Sequence, residues 1–121
     1  MARFRLSALA RADLTHILAT SAEWWGIEGR RRYSAMLSAA MRKVAADPAG
    51  RLTRDRADLS SGIRSFHVRH ARSEVSQPQV KNPVHILYYC VVRPGLIEIV
   101  RVLHERMEPS RHAGTGFVDE D

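Results

Sequence analysis

The chain has 121 residues, 45% of them apolar and 26% charged, which is enough for one hydrophobic core and too few for two. Its longest apolar stretch, Ile86 to Val92, is far short of a bilayer span, and charge returns at Arg11 and Asp13 before a signal-peptide core is built, so a soluble cytoplasmic protein with no membrane partner is expected. Net charge is +6, and setting aside the closing acids Asp119, Glu120 and Asp121 leaves +9, a balance that suits an acidic protein or nucleic acid as partner and equally suits plain solubility.

Residues 2 to 6 alternate, with Ala2, Phe4 and Leu6 on one side and Arg3 and Arg5 on the other, as in a half-buried strand. Ser7 then offers a hydroxyl to cap a helix. From Ala8 the period becomes helical, and Ala10, Leu14, Ile17, Leu18, Ser21 and Trp25 share one face. Adjacent Trp24 and Trp25 cannot both join that stripe; Trp25 is expected to continue the core and Trp24 to be half exposed. Gly26 supplies the left-handed residue that ends the helix. A second helix follows over residues 28–46, with Tyr33, Leu37, Ala40, Met41 and Val44 as its stripe, and Asp47-Pro48 stops it. Two amphipathic helices around a glycine turn predict a helical hairpin.

Residues 49–62 are polar and basic and are expected to form a loop. Strand character returns over 63–70, where Phe66 and Val68 oppose Ser65, His67 and Arg69. Residues 71–83, with two prolines, form a connection. Val84 to Val92 is almost continuously apolar, as in a central strand buried on both faces. Arg93-Pro94-Gly95-Leu96 has the proline and glycine of a type II turn, and residues 97–103 return as a hairpin partner. The chain leaves the sheet after His104. The predicted fold is α+β: an N-terminal strand and a helical hairpin packed on a small, mainly antiparallel sheet. Residues 1–112 form the domain and 113–121 a flexible acidic tail.

Cys90 is the single cysteine, which excludes an internal disulfide and a cysteine metal site; within its apolar run it reads as a buried structural thiol. Of six histidines only His67 and His70 lie close together, on opposite faces of the predicted strand, so neither a metal site nor a cofactor is expected. Arg101 shares its strand parity with Ile97, Ile99 and Leu103. An inward arginine there either pairs with a buried carbonyl or with Asp13, or makes a functional contact.

Several of these segments resemble the ParE toxins of the RelE/ParE superfamily. LSALARADLTHI resembles the family's first helix through Ala10, Asp13, Leu14 and Ile17. WWGIEGRRRY has its glycine break and inward tyrosine, Gly26 and Tyr33. GIRSF resembles the entry to the second strand, with Arg64, and HILYY the central strand, with His85 and Tyr89. IEIVRVLHERME is the most specific match, through Arg101, Leu103, His104, Arg106 and Met107. In order, the matches span about residues 3 to 112.

The resemblance implies the toxin of a type II toxin–antitoxin pair that acts on DNA gyrase. It implies a ParD-like ribbon–helix–helix antitoxin whose acidic helical half covers the toxin's groove in a hetero-oligomer. DNA would then be bound only indirectly, through the antitoxin. Under this reading Arg64, Arg101, His104 and Arg106 would contact the target, and Leu14, Leu18, Trp24, Leu37 and Met41 the antitoxin. The alternative is a RelE-like ribosome-dependent mRNA endoribonuclease. Arg64 and Arg101 would then hold a phosphate and His104 would move a proton, because such cleavage needs both charge stabilisation and proton transfer. Glu105 stands where nucleases of that subgroup often carry an aromatic hydroxyl, which favours an interaction toxin over an enzyme.

Overall fold

The computed structural model describes residues 2–75 and 80–111. Strand β1 (Arg3–Leu6) leads into a helical segment, Ala8–Ala46, which Gly26 divides into α1 (residues 8–25) and α2 (residues 27–46). Then come β2 (Arg54–Asp55), β3 (Arg64–His67), a 3-10 helix (Val68–Glu74), β4 (His85–Arg93) and β5 (Leu96–His104). The five strands form one sheet in the order β1-β5-β4-β3-β2; β1 runs parallel to β5 and every other pair is antiparallel. The α+β architecture read from the sequence is therefore present. The tail at 113–121 lies outside the described residues.

Local chemistry sets the joints. The Ser7 hydroxyl accepts the Ala10 N–H at 3.0 Å and donates to the Val100 carbonyl at 2.7 Å, so one side chain both caps α1 and fastens it to β5. At Gly26 φ is 72° and ψ is −174°, a combination that only glycine adopts without strain. The positive φ matches expectation, but the residue is extended in ψ and is not the ordinary left-handed cap. The break also draws the chain tight: a Cβ on Gly29 would sit 2.3 Å from the Trp25 Cβ. Gly95, at φ 84°, provides the turn of the β4–β5 hairpin.

The main core lies between α2 and the sheet. Met36, Leu37, Ala40 and Val44 pack with Leu87, Tyr89, Ile97 and Ile99, all buried. A smaller cluster of Ile63, Tyr88, Val100 and Leu103 collects Leu59, Ile86 and Cys90. Leu59 comes from the stretch read as a plain loop, which also supplies the short strand β2. Its apolar residues are too sparse to show a period.

Four further expectations need correction. First, β3 stops at His67 because the chain turns into the 3-10 helix, and the His67 and His70 rings lie 6.5 Å apart rather than on opposite faces. Among the described residues no metal-binding group of three or more ligands forms. Second, β4 is buried only at Leu87, Tyr88 and Tyr89. Strand β3 pairs with Ile86 to Tyr89 alone, so Val91 and Val92 run past it and are exposed. Strand β5 is the strand buried along most of its length. Third, Cys90 is partly rather than fully buried. Fourth, Trp25 does not continue the core: it is 64% exposed and Trp24 is 71% exposed. The Gly26 break follows at once and turns the chain away before the sheet can cover that face.

Candidate functional site

Three interactions between distant segments organise the molecule. In the first, Asp13 of α1 reaches the edge of β5. Its carboxylate accepts two hydrogen bonds from the Arg101 guanidinium, at 2.8 and 2.9 Å, and a third from the Val102 N–H at 2.9 Å. Both side chains are largely buried. The reason for this third bond lies in the topology. Strand β1 pairs with β5 only as far as Ile99, so beyond it the outward-facing backbone of β5 needs other partners. Ser7 and Asp13 supply them. The pairing of Arg101 with Asp13 is thus one of the alternatives open in the sequence.

The simple alternation assumed for β5 fails, however. Tyr88 aligns with Arg101 and Tyr89 with Ile99, so Val100 is an extra residue, a β-bulge. Ile97 and Ile99 therefore belong to the main core, while Leu103 belongs to the smaller cluster.

In the second interaction, Arg64 donates to the Pro48 carbonyl at 3.1 Å and to the Thr53 hydroxyl at 2.8 Å, and the Tyr89 hydroxyl donates to the same carbonyl at 2.6 Å. Arg64 thereby ties the end of α2 and the following loop to the sheet.

In the third, the Tyr33 hydroxyl of α2 accepts the Val84 N–H at 3.1 Å and meets His85 Nδ1 at 2.6 Å. Among the described residues the single hydroxyl hydrogen has no other acceptor, so the hydroxyl donates to His85 Nδ1, and His85 carries its own hydrogen on Nε2. Burial first, and then the neighbouring His104, push the His85 imidazole down to about 4, so it is neutral at pH 7. Burial pushes the Tyr33 phenol up to about 12.

Around the end of β5 the histidines form a further set. His104 stands opposite His85 with ring centroids 5.7 Å apart, and its Nδ1 accepts the Arg106 N–H at 3.0 Å. His67 repeats that local turn with Arg69 N–H and reaches Glu105 through Nε2 at 2.6 Å; this contact holds the Glu105 carboxyl below its usual range. None of these pairings was visible in the spacing of residues along the chain. Only co-variation or a structure would reveal them.

Beside this set, between α1 and the free edge of β5, lies a cavity of about 530 Å³. Trp24, Trp25, Ile17 and Met107 supply apolar wall, and Tyr33, His85 and His104 are among its polar residues. Trp24, Trp25 and Met107 are largely exposed, and Ile27 beyond the break is 71% exposed. Together they form an exposed apolar patch on a small domain.

The sequence-predicted site residues are distributed as follows. Leu14 and Leu18 are partly buried and line a second groove with Ala22 and Arg30. Trp24 is exposed. Leu37 and Met41 are 1% and 6% exposed, inside the main core, where an approaching chain meets neither. Arg101 and His104 both line the tryptophan cavity, Arg64 sits at the other end of α2, and Arg106 is exposed just beyond β5.

A strand, two helices and a mainly antiparallel sheet in this order, with an aspartate of the first helix bound to an arginine of the last strand, define a domain of the RelE/ParE class. Residues 4–109 match the family model described as the ParE toxin of the type II toxin–antitoxin system parDE. A toxin named ParE1 from Mycobacterium tuberculosis, present in strains CDC 1551 / Oshkosh and ATCC 25618 / H37Rv, is 30% identical over 110 residues, covering 91% of this chain and 96% of its own. A toxin named ParE1 from Caulobacter vibrioides is 30% identical over 115 residues, covering 94% and 100%. The chain belongs to the ParE toxin family of type II toxin–antitoxin systems. Among the described residues no helix is long and apolar enough to cross a membrane.

Proposed function

We propose that the chain is an interaction toxin that acts on DNA gyrase without catalysis of its own, and that a ParD-like ribbon–helix–helix antitoxin holds it inactive in a cytoplasmic hetero-oligomer. The observation that carries this reading is the state of the two arginines that a nuclease would need. Arg101 is engaged by Asp13, and Arg64 by Pro48 and Thr53. Each holds the fold together. They also stand apart, one at the α1–β5 edge and one at the end of α2, so no single phosphate is offered both guanidiniums together with His104. RNA cleavage needs those groups converged around one reacting centre.

Under this reading Arg106 and His104, at the end of β5, are the residues that meet the target. Arg64 and Arg101 act by positioning. The antitoxin covers Trp24 together with Leu14 and Leu18 by laying an acidic amphipathic segment on α1, since the toxin's surface there is apolar and its body positive. The partner also confers DNA binding on the complex.

The test is DNA supercoiling by purified gyrase in the presence of the purified chain. Supercoiling is expected to fall and cleaved DNA to accumulate, and Arg106→Ala is expected to weaken both. Untouched supercoiling alongside cutting of ribosome-bound mRNA would overturn the reading in favour of the endoribonuclease.

A further inference from the structure

The polar end of the tryptophan cavity has a chemistry of its own. His85 and His104 lie directly opposite each other where the β4–β5 pairing ends, and both line the cavity. In each ring Nδ1 is already an acceptor, from the Tyr33 hydroxyl at His85 and from the Arg106 N–H at His104. Each ring therefore carries a hydrogen on Nε2. The pair presents two N–H donors and no acceptor, its rings 5.7 Å apart and inclined at 78°. Among the described residues neither Nε2 has a protein partner, and neither is sealed from solvent.

The surroundings narrow what these donors would take. Arg101 also lines the cavity, but Asp13 already cancels its charge. Glu105, the nearest other acid, is bound to His67. His16 of α1 adds one more imidazole at the rim, and Thr20, Ser21 and Asn82 add uncharged polar groups. Trp24, Trp25, Ile17 and Met107 supply apolar wall. A multiply charged phosphate would find no uncancelled guanidinium or ammonium among these groups. A single carboxylate flanked by apolar surface would find two donors, and charge-assisted hydrogen bonds of this kind are roughly twice as strong as neutral ones. The chain's net charge of +6 favours an acidic occupant over a basic one.

We propose that His85 and His104 form a carboxylate subsite, which receives one aspartate or glutamate side chain of an acidic protein segment lying along the Trp24–Met107 cavity. The identity of that segment rests on the reading of the chain as a toxin covered by an acidic partner; the donor chemistry of the subsite does not. Tyr33 is a positioning residue here, because its hydroxyl fixes the His85 tautomer.

The experiment titrates the full-length chain, labelled with ¹⁵N at histidine, with 3-phenylpropanoate and in parallel with its neutral amide. The acid supplies an apolar body and one carboxylate, and the amide keeps the body without the charge. The acid is expected to shift the ring nitrogens of His85 and His104, to leave those of His67 in place, and to bind at least tenfold more tightly than the amide. His104→Phe should abolish that preference, and Tyr33→Phe should weaken it. Equal binding of acid and amide, absence of binding by the acid, or shifts confined to other histidines would overturn the subsite. A parallel titration with the chain's antitoxin separates the two readings. Shifts at His85 and His104 with the small acid but not with a bound antitoxin would overturn the assignment to that protein segment, whatever the gyrase assay shows.

Discussion

The two halves of the helical segment do different work, although both are amphipathic in sequence. Helix α2 is sealed: Gly29, Tyr33, Met36, Leu37, Ala39, Ala40, Met41, Val44 and Ala45 are all buried. Helix α1 buries only Ala10, Ile17 and Ser21, and it ends on two exposed tryptophans. A helix with so little of its own surface buried must be held by something else. Here that is the Ser7 cap and the Asp13 carboxylate on the edge of β5. Helix α2 supplies the core, and α1 is pinned by polar contacts at one end so that its apolar face stays available. The contrast separates an apolar stripe that stabilises the domain from one that the fold leaves exposed.

Breaking the pin should have the largest effect. Asp13→Ala removes a carboxylate from the largely buried Arg101 guanidinium and the acceptor from the Val102 N–H. Removing one partner of such a pair costs about 3–5 kcal/mol, which urea unfolding would register. If stability were unchanged, the Asp13–Arg101 contact would not be what holds α1.

The core side of the comparison is tested by Met36→Ala, which empties a fully buried site and should cost about 2–5 kcal/mol. Trp24→Ala, at an exposed site on α1, should change stability by no more than about 0.5 kcal/mol while weakening antitoxin binding. Similar losses of stability from both substitutions would erase the distinction.

Acid should act on the Tyr33–His85 contact that ties α2 to β4. In the folded chain His85 titrates near 4, against 6.5 for an unperturbed imidazole. Between those values the unfolded chain takes up a proton that the folded chain refuses. Stability from this group is therefore complete above about pH 6.5 and declines as pH falls toward about 4, by at most on the order of 3 kcal/mol. Urea midpoints measured down the acid range should show a steeper fall for the natural chain than for His85→Gln. Parallel curves would remove His85 from the account.

The joint between the helices gives a more modest effect than breaking the pin or emptying the core. Gly26→Ala forces a side chain into the glycine-only conformation and should cost about 1–3 kcal/mol, read as a lower melting temperature.

Much of this was legible from the residues themselves. The alternation at Arg3–Leu6, the serine cap, the glycine break, the Asp-Pro stop and the Pro-Gly hairpin turn are local signals, and each is obeyed. What was hidden depends on neighbours that the sequence does not name. Trp25 fits the core stripe by period, but the sheet does not extend beneath it. Leu37 and Met41 read as surface for a partner but face the chain's own core. Strand β4 looked central by its apolar run, yet β3 is too short to cover its second half. The bulge at Val100 has no sequence signature, and it changes which face of β5 each later residue joins. For the site, the chemistry-bearing residues were visible but their partners were not, apart from Asp13 and Arg101. Tyr33 and His85 lie 52 residues apart and meet only because α2 crosses the end of β4.

The central claim is that the tryptophan face of α1 is left open by the fold and closed by another protein. Trp24 and Trp25 are the chain's two tryptophans, so intrinsic fluorescence reports on that face alone. The free chain should emit as solvent-exposed indole, and titration with its antitoxin should shift the emission to shorter wavelength, with saturation at the complex's stoichiometry. Emission that is already blue-shifted in the free chain, or that does not move when the antitoxin binds, would contradict the account.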